Sequence, residues 1–202
     1  MTGIVLDREA KSASGRALDR LVKLDLKVLV RDPSRAEAEE FIPVFHRWIT
    51  ERVLPELLID VADYSHVHEG PGVLLVGHDA IYAYDLSRGE PGLLYSRRRE
   101  TSPELEGIDA LESRIESLLK CAFRACDLIE AEPQLEGRVA FDRHRLELSV
   151  NDRLFPSDEQ TALTLASAFQ RALAEAGVLD GDAPAEVKRI GESRERLTLR
   201  TR

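Results

Sequence analysis

The sequence predicts an α+β fold, a mainly antiparallel sheet with about three helices packed on it. Three observations predict it. Strand-like runs outnumber helical ones, turn-prone stretches such as EGPG at 69–72 and SRGEPG at 87–92 separate them, and three long segments carry helical spacing. Strands joined by tight turns pair antiparallel, because parallel neighbours need long crossovers.

Taken in order, residues 1–23 read as an N-terminal arm, with a flexible break at Ser12-Ala-Ser-Gly15 and a short helical stretch at 16–23. Leu24, Leu26, Val28 and Val30 alternate in LDLKVLV as a half-buried strand requires. Asp32-Pro33-Ser34 stops that strand, and Ser34 with Glu37 makes a capping box for the next helix. Phe41, Val44, Phe45, Trp48, Ile49 and Val53 form the buried stripe of that helix, which Pro43 either kinks or restarts. LLIDVADY at 57–64, GVLLVGH at 72–78, IYAYDL at 81–86 and GLLYSR at 92–97 are four strands of a meander. The longest helix covers 104–130, and Pro133 ends it.

The second half supplies strands RVAFD and RLELSVN, a helix at about 158–176, a Gly/Asp/Pro linker at 177–184 and final strands AEVKRI and RLTLR. Leu146, Leu148 and Val150 can be set against Leu24, Leu26 and Val28, so the order strand, helix, strand, strand occurs twice. The expected organisation is one domain over 24–202, with halves 24–100 and 137–202 joined by the helix at 104–130.

A chain of 202 residues, 43% hydrophobic and 32% charged, has the composition of a soluble globular protein. No apolar run approaches the roughly 20 residues that a bilayer span needs. The N-terminus lacks the charged start and apolar core of a secretion signal, so a cytoplasmic location is expected. Cys121 and Cys126 lie five residues apart in one helix, too far round it for a disulfide, and read as reduced structural residues. A net charge of −9 opposes attraction to phosphate backbones, so no nucleic acid is expected as partner. Arg97-Arg98-Arg99 and the C-terminal Arg194, Arg196, Arg200 and Arg202 are read as charges that blunt strand edges.

Residues 59–86 hold three of the five histidines and three of the four tyrosines. Tyr64, His66, His68 and His78 are therefore the candidate ligand-binding residues. His66 and His68 flank one residue and would point to the same side of an extended chain, and a hairpin could return His78 as a third metal ligand. Asp63, Glu69 and Asp79 could add a carboxylate. The pair resembles the cupin metal motif, except that Glu69 follows the second histidine directly where cupins space their glutamate further on. The preferred reading is a polar, solvated loop at 64–68 and a polar strand end at His78, with no metal or cofactor committed. His46 sits at the margin of its helix's buried face, and His144 faces water. Gly70-Pro71-Gly72 leads into a strand, not into a helix N-terminus, and so is a turn and not a phosphate loop. No nucleophile elbow, dinucleotide fingerprint, Walker loop or metalloprotease helix is present.

FIPVFHRWI at 41–49, LLIDVADYSHVHEGPGVLLVGH at 57–78, LLYSRR at 93–98 and VNDRL at 150–154 together resemble a family of bacterial proteins of about this length, across most of 24–200. The resemblance implies a bacterial, stand-alone, cytoplasmic protein and carries no activity, ligand or site residue with it. The expected function is a non-catalytic module that binds a partner protein or a small polar ligand. The alternative is an enzyme dependent on a divalent metal at the histidine-lined 63–79 hairpin.

Overall fold

The computed structural model describes residues 18, 21, 23–31, 36–98, 110–178, 186–191 and 195–201. Among the described residues an eight-stranded antiparallel sheet and three helices make up the α+β architecture. The strands are β1 (Leu24–Val30), β2 (Leu58–Tyr64), β3 (Gly72–Gly77), β4 (Ala80–Asp85), β5 (Gly92–Arg97), β6 (Phe141–Val150), β7 (Val187–Ile190) and β8 (Thr198–Thr201). The helices are α1 (Phe41–Glu51), α2 (Leu111–Glu130) and α3 (Glu159–Glu175).

The sheet order is β2-β3-β4-β5-β1-β6-β8-β7, so β2 and β7 are the edges and β1 pairs with β6 near the centre. Strand, helix, strand, strand occurs on either side of that pair, as β1-α1-β2-β3 and β6-α3-β7-β8. The β4-β5 hairpin is inserted between β3 and β1 in the first half alone.

All three helices cover one face. Leu24, Leu26, Val28, Val73, Leu75, Leu93, Leu146 and Leu148 point into the core and meet Phe45 and Trp48 of α1, Ile115 and Leu118 of α2, and Phe169 of α3. Phe41 stacks on Tyr84 with ring centroids 3.9 Å apart. The Trp48 indole N–H donates to Glu132 at 2.6 Å, which satisfies a polar atom that would otherwise be stranded in the core.

Several local expectations are redrawn. Pro43 falls in the first turn of α1, preceded by a short 3-10 turn at Ala38–Glu40, so it starts the helix and does not kink it. The capping box there is made by Glu37 and Glu40. Ser34 and residues 104–109 of the expected helix lie outside the described residues, as do most of the arm and of the 177–184 linker. Within the arm, Leu18 and Leu21 are buried in the core. RVAFD and RLELSVN are not two strands. They form the single ten-residue β6, because Arg143 is anchored by Asp127 and Glu130 of α2 and holds the polar middle extended.

A charged network on the open face of the sheet

Tyr64 ends β2, while His66 and His68 stand exposed in the turn between β2 and β3. His78 lies in the turn between β3 and β4, with its ring nitrogen 2.9 Å from Asp79. Six residues of β3 separate the two turns, roughly 20 Å at the rise of a strand. The hairpin therefore does not bring His78 back to His66 and His68, and among the described residues no group of three potential ligands converges on a metal position. His46 is exposed on α1 and His144 is exposed on β6.

The arginine clusters divide. Arg97 is fully buried on the helix side, Arg98 is exposed, and Arg196 and Arg200 enter ion pairs on the other side of the sheet. Arg99, Arg194 and Arg202 lie outside the described residues.

The sheet face away from the helices carries the unexpected chemistry. Two rows of side chains cross it. One runs Ala62, Leu74, Ala83, Leu94, Lys27, Glu147, Arg200 and Lys188; the other runs Asp60, Val76, Ile81, Ser96, Asp25, Ser149, Thr198 and Ile190. The face is thus mainly aliphatic across β3, β4 and β5, where Asp85 and Ser96 are the polar members, and polar across β1, β6 and β8. Leu74, Val76, Ile81 and Leu94 are half-buried and stand apart from the core, and Tyr64 is exposed at their margin.

Lys27 and Asp85 form an ion pair of 2.6 Å with side chains only 3% and 5% exposed. Lys27 also donates to the Ser87 carbonyl at 3.1 Å, and the Ser87 hydroxyl donates back to Asp85. Glu147, 2% exposed, accepts from Arg88 and from Arg200, and Arg200 in turn reaches Glu90. Asp25 accepts from the Ser96 hydroxyl at 2.6 Å, from Arg196 at 2.8 Å and from the Asn151 amide at 3.1 Å. Arg88 sits at φ 61, a left-handed conformation uncommon for a side chain of its bulk. That backbone turns Arg88 from the β4-β5 connection toward β6. The same connection touches the histidine turn, because the Leu86 N–H donates to the Gly70 carbonyl at 3.2 Å. The predicted loop borders the network without joining it.

Burial lifts the Asp25 carboxyl above the ordinary aspartate range despite the opposing hydrogen bonds from Ser96 and Asn151 and the charge of Arg196. Burial likewise holds the Lys27 ammonium below the ordinary lysine range, against the pull of Asp85. The Asp25 shift has a measurable sign. The folded protein binds that proton more tightly than the unfolded chain, so this group's contribution to stability falls as pH rises from the ordinary aspartate value to the raised one. The difference in unfolding free energy between wild type and Asp25→Asn should slope by up to about 1.4 kcal/mol per pH unit across that window and flatten above it. Denaturant unfolding at a series of pH values checks this, and a difference independent of pH would mean that Asp25 titrates as an ordinary aspartate.

Two of the hollows among the described residues have these linings. One of about 360 Å³ lies beside the start of β8 and is lined by Asp152, Arg153, Glu195 and Arg196; one of about 510 Å³ lies between the end of α1 and β2. None of the histidines lines either.

Asp25, Lys27, Asp85 and Glu147 were not singled out from the sequence. The available signal was a polar residue at every second position of β1 and β6, which looks the same as an ordinary solvent-facing pattern. No protein-family model matches the chain, and no curated protein matches it closely enough to count as a relative. Among the described residues no helix is long and apolar enough to cross a membrane.

Proposed function

We propose that this chain is a non-catalytic module of the bacterial cytoplasm that binds a partner protein on the open face of its sheet. One observation carries the reading: Leu74, Val76, Ile81, Ala83 and Leu94 form a contiguous aliphatic patch among the outward positions of β3, β4 and β5, bordered by Asp85 and Ser96. An antiparallel sheet with one solvated face ordinarily alternates apolar inward with polar outward. Here four adjacent aliphatic side chains remain half-exposed beside a polar rim, which is how association surfaces are built. The carboxylates next to them are buried in ion pairs with arginine and lysine, an arrangement suited to a rigid surface and not to proton transfer.

Leu74→Thr and Ile81→Thr should each change stability by less than about 1 kcal/mol, since these side chains serve no core. A photo-crosslinking residue at Ile81 should yield a discrete protein adduct in native cells, absent when Leu74 is changed to Asp and absent when the crosslinker replaces the exposed Leu163 on α3. Core-sized stability losses, or adducts indifferent to Leu74→Asp, would overturn the reading.

A further inference from the structure

Resting on that reading, we infer that the partner docks through a polypeptide segment that combines apolar side chains with carboxylates. On the β1 and β6 side of the aliphatic patch the charge turned outward is positive, although the chain as a whole carries −9; on the β2 side the exposed Asp60 beside Val76 is negative. The side chains of Arg88, Arg145 and Arg196 are 48%, 49% and 50% exposed, while the carboxylates of Glu147, Asp25 and Asp85 lie buried beneath this surface.

Burial of those carboxylates does two things. It places the anion on the inner side of each guanidinium, so that Glu147 takes one N–H group of Arg88 and Asp25 takes one of Arg196. A guanidinium has five N–H groups, and these two side chains stay 48% and 50% exposed. It also holds the arginines still before any partner arrives, which removes much of the side-chain entropy that binding otherwise costs. Arginine fixed in this way accepts a carboxylate in a forked geometry that lysine cannot offer.

The network adjoins the aliphatic patch directly. Lys27 pairs across strands with Leu94, and Asp25 with Ser96, whose own neighbour is Ile81. An occupant long enough to cover Ile81 and Leu94 therefore runs alongside the arginines.

The test is a phage-displayed library of random 16-residue peptides selected against the full chain, with enriched peptides synthesised and titrated. We expect sequences that mix apolar residues with Asp or Glu. Their affinity should fall at least about tenfold between 50 and 500 mM salt, about tenfold in Arg145→Glu, and beyond detection in Ile81→Asp. Arg145 is chosen because its one ion pair among the described residues is a loose one of 3.7 Å to Glu90, so its replacement spares the buried network. Apolar peptides without acids, insensitive to salt yet lost in Ile81→Asp, would overturn the acidic partner and leave the docking face standing. Peptides indifferent to Ile81→Asp, or no enrichment at all, would overturn both. A concentration-dependent dimer in sedimentation that Ile81→Asp dissociates would show that the occupant is a second copy, and so overturn the inference.

Discussion

Replacing Lys27 with Met should cost about 3–5 kcal/mol of folding stability, the range for stranding one member of a buried ion pair. Adding Asp85→Leu should recover most of it. In the single variant Asp85 keeps the Ser87 hydroxyl but loses the ammonium 2.6 Å away, and its carboxylate stays out of water. A charge left without its partner in a buried position is held there at high cost. The double variant removes both charges beside Leu94 and Ala83, where a Met and a Leu find apolar neighbours. Urea unfolding of the four proteins in the cycle should give a coupling of at least about 2 kcal/mol, and additive losses would show that the pair is not coupled.

The same pair shows what the sequence can and cannot carry. In LDLKVLV the alternation correctly places Leu24, Leu26 and Val28 against the helices, because that choice depends on local period alone. The burial of Asp25 and Lys27 depends on residues far along the chain. Ser96 lies 71 positions from Asp25, and Arg196 lies 171 positions from it. A charged residue at an outward strand position reads as solvated until the neighbouring strands are known to present opposite charges and a loop is known to lay Arg88 across them. Propensity has no access to either fact.

The separation of His78 from His66 and His68 was present in the letters. Their scarcity draws attention to 59–86, but two strands joined at EGPG put His66 and His68 in the joining turn and His78 beyond the far end of the second strand. Side chains in successive turns of a meander lie on opposite margins of the sheet, so strand length alone separates them. Tyr64 is different. It points to the open face and borders the aliphatic patch, which leaves the candidate segment adjacent to the surface now favoured.

On the opposite face, Arg97→Ala should lose about 3–5 kcal/mol, comparable to truncating a large core side chain, whereas Arg97→Met should unfold no more easily than wild type. Arg97 is completely buried between β5 and the first turns of α2. It donates to the Arg114 carbonyl at 3.3 Å and to the Ser117 hydroxyl at 3.0 Å, and it lies 5.9 Å from the Tyr95 ring centroid. Among the described residues its Nε has no hydrogen-bond partner and no carboxylate forms an ion pair with it. The charge is therefore desolvated against neutral dipoles and one π-face, while the long stem fills space that an alanine would leave empty. Methionine keeps most of that volume and gives up the desolvation cost. Thermal and chemical unfolding of the two variants separates packing from charge. Equal losses in both would show that the guanidinium itself, through its bonds to Arg114 and Ser117, is what ties β5 to α2.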